Sequence, residues 1–191
     1  MPDPDPIPVR PTFVQVDLDR LSENYHLICQ KVAPAGVMPV LKANAYGHGL
    51  VPVAKRLLAD GAESLGVAIL EEGVALRQAG VNAPILVMGG ILHDQIGAYL
   101  KHNLTLTVTS LEDLLSVDNA ARQSGVEAKV HIKIDTGMGR LGVLYEEAEK
   151  VLEASLHCQN LKVEGIYSHF ATAEAADQTF ARLQLERFRQ V

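Results

Sequence analysis

Apolar residues fall in short runs separated by longer amphipathic stretches, an alternation that predicts parallel strands each followed by a helix. The first strand is expected over Val37–Leu41, with a helix over Val51–Asp60 closed by Gly61. A second strand, Leu65–Ile69, precedes a helix over Glu71–Ala79 that ends at Gly80. Pro84–Met88 is the third strand, with Gly89 and Gly90 at its exit and a helix over Asp94–His102 behind it. The fourth is Leu104–Thr109, where Ser110 is placed to cap a helix beginning at Leu111. Ala128–Asp135 is the fifth, followed by a helix over Glu146–Ser155, and Val163–His169 is the sixth. In the last segment, Asp177–Val191, residues Phe180, Leu183, Leu185, Phe188 and Val191 recur mainly at helical spacing.

Six such units suggest an α/β fold of the eight-stranded (β/α)8 barrel type, which takes roughly 250 residues. The 191 residues are therefore expected to supply an incomplete barrel, about two strands short, that ends inside or beside a helix. An unclosed barrel leaves two strand edges unpaired and its interior open to water, so poor behaviour in isolation is expected. Prolines at positions 2, 4, 6, 8 and 11 remove backbone donors and favour an extended arm over residues 1–11, leaving 12–191 for the barrel.

Composition narrows the partners. With 48% hydrophobic residues the chain has the means for one sizeable core. A net charge of −6, with no basic run interleaved with aromatics, argues against nucleic acid. The N-terminal residues lack the basic and apolar regions of a signal peptide, and no apolar run reaches membrane-spanning length, so a cytoplasmic location with no membrane contact is expected. Cys29 and Cys158 have no metal-ligand spacing and read as reduced thiols, and the histidines at 48, 93, 102, 131 and 157 do not cluster as metal ligands.

The candidate chemistry sits at strand exits. In Val40-Leu41-Lys42-Ala43-Asn44-Ala45-Tyr46-Gly47-His48-Gly49 a lysine leaves an apolar strand just before a glycine-punctuated loop. Alternation along the strand would put Val40, Lys42 and Asn44 on one face. An inward-facing lysine there calls for an anionic or a covalent partner, and an aldehyde cofactor is the covalent option. On the fifth strand His131, Lys133 and Asp135 alternate with Ile132 and Ile134, which sends Lys133 toward the barrel interior and near a like charge, Arg140.

These residues resemble alanine racemase. The Lys42–Gly49 run is supported by Lys133-Ile134-Asp135-Thr136-Gly137-Met138-Gly139-Arg140-Leu141-Gly142 and by Gly165-Ile166-Tyr167-Ser168-His169-Phe170-Ala171-Thr172-Ala173, in the family's order. The resemblance implies a pyridoxal 5'-phosphate enzyme interconverting L- and D-alanine for peptidoglycan precursors, homodimeric at full length. By the same resemblance Lys42 holds the cofactor aldehyde and serves as acid/base on one face of the substrate, and Tyr46 hydrogen-bonds the cofactor phosphate. Arg140 meets the substrate carboxylate or the cofactor's phenolic oxygen, His169 lies against the pyridine ring, and Lys133 is a candidate for carbamylation. The opposing base, a tyrosine, belongs to a C-terminal β domain that this chain does not contain, so the 191 residues are expected to be inactive alone. Plainer readings are a surface lysine at 42, a packing tyrosine at 46, an uncharged or Asp135-paired Lys133, a structural salt bridge at Arg140 and a core histidine at 169. The rival functions are a non-catalytic carrier of the cofactor built as a single barrel, and an amino-acid decarboxylase with a related barrel.

Overall fold

The computed structural model describes residues 12–191; the expected N-terminal arm, residues 1–11, lies outside them. Five strands run parallel side by side: β1 Leu65–Val67, β2 Ile85–Val87, β3 Leu106–Val108, β4 Ala128–Asp135 and β6 Leu161–Tyr167. A bridge from Leu86 to Thr105 joins β2 to β3, and a bridge from Val40 to Gly66 adds the first segment beside β1. The wall is thus six positions wide, in chain order, with helices on its outer side. This is a partial (β/α)8-type barrel, as the alternation of patterns predicts.

The strands are short, three residues in β1 to β3, and every side chain in them is buried. Leu65, Val67, Ile85, Leu106, Val108, Val130, Ile132 and Ile134 have essentially no exposure and form the centre of one core. Burial on both faces is what a parallel sheet covered by helices imposes. At one edge β6 differs, with Val163 and Ile166 more than one-third exposed. At the other edge a cavity of about 630 Å³ lies between residues 37–41 and the helix Leu18–Val32.

Three expectations change. Val37–Leu41 is not a full strand: its parallel pairing reduces to the Val40 bridge, with Leu41 N–H donating to the Gly66 carbonyl at 2.7 Å and Gly66 N–H to that of Pro39 at 2.8 Å. The helix Leu18–Val32 was not assigned from periodicity, although Asp17 caps it by accepting the N–H groups of Asp19 and Arg20. A further short strand, β5 Val143–Leu144, pairs in parallel with the end of β4. It approaches so closely that a Cβ on Gly142 would stand 2.9 Å from the Asp135 nitrogen.

Candidate functional site

The backbone changes hand immediately after Lys42. Lys42 is the last residue outside the left-handed region before Ala43, Asn44, Ala45 and Tyr46, all of which have φ between 52° and 56°. Four consecutive left-handed L-residues cost roughly 1–2 kcal/mol each, so their surroundings must hold them. The strand alternation that put Asn44 on the face of Lys42 therefore fails, because the chain is no longer extended there. Asn44 instead turns its side chain to accept the Leu50 N–H at 2.7 Å, at the start of the helix Leu50–Ala59. Ala45 N–H donates to the Leu41 carbonyl, and Gly47 and Gly49 N–H groups close the turn on Ala43 and Asn44. Glu72, from the next βα unit, accepts the Ala43 N–H at 2.6 Å.

Tyr46 ends the left-handed turn, 60% exposed, with its ring 5.9 Å from the Lys42 Nζ. Lys133 is buried in β4, its Nζ 5.7 Å from the centre of the Tyr167 ring. Tyr167 in turn shares a 2.9 Å hydrogen bond with Thr107 Oγ1 across the sheet. Burial, and then the nearby Arg140, push the Lys133 pKa down; Asp135 opposes this and Lys42 adds to it. His169, two residues past β6, is likewise pushed down by burial and by Arg140, Lys133 and Lys42. Lys42, Lys133, Arg140 and His169, drawn from three separate strand exits, therefore feel one another's charge.

Asp135 is not the partner of Lys133. Its Oδ1 accepts the Gly137 N–H at 2.8 Å and its Oδ2 the Gly139 N–H at 2.8 Å. Burial opposes ionisation of this carboxyl, but the backbone donors of Gly137, Gly139, Met138 and Arg140 outweigh it and hold the pKa below the ordinary carboxylate value. Among the described residues no carboxylate forms a salt bridge with Lys42, Lys133 or Arg140. The structural salt bridge considered for Arg140 is thus not formed either.

Gly137 makes room within the fold. A Cβ there would stand 2.8 Å from Arg187 Nη1 and 3.0 Å from Phe180, so its small size admits the chain's own final helix, Thr179–Arg189. That helix supplies residues that periodicity gave no reason to single out. Gln184 is 1% exposed; its amide N–H groups donate to the His169 carbonyl at 3.0 Å and to Thr136 Oγ1 at 3.2 Å, and its Oε1 accepts the Ala171 N–H at 2.9 Å. Arg187 donates to the Thr136 carbonyl at 2.9 Å. The loops bearing Arg140 and His169 are thereby tied to one helix.

A parallel α/β barrel wall whose strand ends gather lysines, an arginine and a histidine is the geometry of a site for a small anionic ligand. The family profile described as alanine racemase, N-terminal domain, matches residues 16–191, and the chain belongs to that family. It is 44% identical over 180 residues to an alanine racemase of Carboxydothermus hydrogenoformans, covering 94% of this chain and 49% of that protein. An alanine racemase of Halothermothrix orenii is 42% identical over 183 residues, covering 95% and 48%. Among solved structures, the cycloserine complex of the Clostridium difficile 630 alanine racemase superposes with a TM-score of 0.84 at 34% identity, covering 89% of this chain and 47% of that one. A histidine racemase of Leuconostoc mesenteroides superposes at 0.85 with 26% identity, covering 90% and 46%. The chain spans about half the length of the relatives it matches.

Alanine racemases depend on pyridoxal 5'-phosphate, and the donor set suits that group. A phosphate ester with an aldehyde needs positive charge and an amine. Four cationic or potentially cationic side chains converge here, and the one buried carboxylate among them, Asp135, has its oxygens taken by backbone amides. Among the described residues no cluster of three His, Cys, Asp or Glu has the makings of a metal site, and no helix is long and apolar enough to cross a membrane. Cys29 and Cys158 are free thiols, half-buried and apart from the cluster.

Proposed function

We propose that this chain binds pyridoxal 5'-phosphate and takes part in interconverting L- and D-alanine, in the cytoplasm, for peptidoglycan precursor synthesis. The observation that carries the reading is the convergence of Lys42, Lys133, Arg140 and His169 at the strand ends without a salt-bridged carboxylate. Bound there, the cofactor supplies a conjugated ring that takes up the electron pair left when an amino acid loses its α-proton. Lys42 would hold the aldehyde and would serve as the acid/base group on one face of the α-carbon. Tyr46 donates its O–H to the phosphate, and its exposure leaves the hydroxyl available for that. Arg140 orients the substrate carboxylate with two parallel N–H groups. His169 packs on the pyridine ring.

The resemblance makes Lys133 a candidate for carbamylation, and its burial in β4 near Arg140 suits that reading. Burial and Arg140 favour its uncharged amine. That amine adds CO2 and releases a proton, giving a carbamate anion that accepts hydrogen bonds from Arg140. The opposite face of the α-carbon needs its own acid/base group, which the resemblance assigns to a tyrosine from the part of the relatives this chain does not match, reaching across a homodimer.

The test is labelling of the protein with pyridoxal 5'-phosphate, reduction with borohydride and peptide mapping. Lys42 is expected to carry label well above exposed lysines such as Lys162, and Lys42→Ala to lose it entirely. Equal labelling of Lys42 and Lys162 sinks the assignment.

A further inference from the structure

The left-handed turn that follows Lys42 is met by one side chain from a different βα unit. Glu72 is the third residue of the helix Leu70–Gln78, and its Oε2 accepts the Ala68 N–H at 2.8 Å and the Ile69 N–H at 3.4 Å. That half of its work is ordinary capping of a helix start, for which a glutamine serves as well as a glutamate. Its Oε1 does something else. It accepts the N–H of Ala43, 29 residues upstream, at 2.6 Å.

The Ala43 nitrogen belongs to the peptide bond that follows Lys42. Holding that N–H fixes the plane of the peptide just where the left-handed backbone begins, and so the direction in which the Lys42 side chain departs. The other bonds of the turn run within residues 41–50, apart from the Leu41 N–H that donates to the Gly66 carbonyl, so Glu72 is the side-chain contact that refers the peptide after Lys42 to the neighbouring strand. A carboxylate suits the task because it offers two acceptor oxygens and no donor; an amide in its place would turn an NH2 group toward an N–H. Glu72 also takes part in none of the ion pairs among the described residues, so its charge is spent on backbone donors.

We propose that Glu72 is a positioning residue for Lys42, clamping the Lys42–Ala43 peptide to the exit of β1 through its two carboxylate oxygens. Its importance for chemistry rests on the reading of Lys42 as the cofactor lysine; the clamp itself does not.

Two measurements on the 191-residue protein separate these. Amide hydrogen exchange reports the Ala43 N–H, and the borohydride experiment gives the ratio of pyridoxyl label at Lys42 to label at Lys162. Glu72→Gln is expected to keep the helix start, speed Ala43 exchange about tenfold and lower the labelling ratio by a similar factor. Glu71→Gln, at the exposed neighbouring position, is expected to change neither. A residue that merely capped the helix would leave both readouts unmoved in Glu72→Gln, and that result overturns the proposal. Should Glu72→Gln fail to fold, Ala43 exchange in the unsubstituted protein decides: slow exchange supports the clamp and free exchange removes it. Absence of label at Lys42 in the unsubstituted protein overturns the cofactor reading instead, and the exchange rate of Ala43 still decides the clamp.

Discussion

The cations at the strand ends rest on two different supports. Lys42 leads into four left-handed residues whose cost is offset by a single carboxylate and by bonds within the turn. Arg140 and His169 sit on loops tied to a buried amide, Gln184, and to Arg187, both on one regular helix. One side stores backbone strain and the other stores almost none apart from its glycines. On the proposed reading, a lysine that changes bonding partners gains from a backbone held in a single direction, whereas residues that only bind gain from a rigid frame. The contrast also separates the consequences of mutation: one side should lose reactivity, the other stability.

Lys42→Ala, which is expected to remove all label, is the largest effect on the strained side. On the framed side the largest is Gln184→Leu. Leucine fills the space but leaves the Ala171 N–H and the His169 carbonyl without a partner, which is expected to cost about 2–4 kcal/mol. Denaturant titration measures it. Exchange at Ala171 should rise in this variant while Ala43 stays protected, the reverse of Glu72→Gln. Loss of protection at both amides in either variant would mean the two supports are one.

Much of this frame is legible in the sequence, but unevenly. Ala128–Asp135 has its expected bounds, and Ser110 caps its helix by accepting the Asp113 N–H at 3.0 Å, because both depend on local pattern alone. Lys133 is buried, as are the flanking isoleucines Ile132 and Ile134. The left-handed turn is not legible, since the alanines at 43 and 45 disfavour that hand, one tolerant asparagine does not specify a run of four, and the contact that fixes its first peptide comes from 29 residues away. Gln184 reads as the polar face of an amphipathic helix; only the packing of the helix against two loops buries it. The strand Val37–Leu41 was overestimated for a related reason, because apolar residues mark burial, while hydrogen-bonded pairing depends on where the neighbour runs.

A smaller effect comes from Lys133, which belongs to neither support. Its pKa is lower in the folded chain than in the unfolded one, so between the two values the unfolded chain binds more protons and stability rises with pH. The penalty is complete below the folded pKa and gone above the ordinary value for lysine. Lys133→Met is therefore expected to be more stable than the parent at neutral pH in CO2-free buffer, and to lose most of the rise toward alkaline pH. Denaturation midpoints across that range measure both. Buffer equilibrated with CO2 should narrow the gap if the amine becomes a carbamate, since an anion beside Arg140 no longer opposes folding. An unchanged pH slope in Lys133→Met would assign the rise to another group.

The smallest expected change asks how much strain the turn itself holds. Ala43 and Asn44 have nearly the same left-handed backbone, at φ 53° and 56°. Glycine at 43 removes the steric cost of that region, roughly 1–2 kcal/mol, against a loss of about 0.4–1 kcal/mol from the freer unfolded chain. Ala43→Gly should thus stabilise by about 0.5–1 kcal/mol with the Glu72 bond intact. Asn44→Gly has a smaller backbone gain, because asparagine tolerates this region better to begin with, and it forfeits the side-chain oxygen that accepts the Leu50 N–H, worth about 1 kcal/mol. It should therefore destabilise. Opposite signs at two adjacent residues of equal φ would locate the strain at Ala43, next to the lysine; equal signs would mean that the turn is held as a block and that Glu72 carries no special share of it.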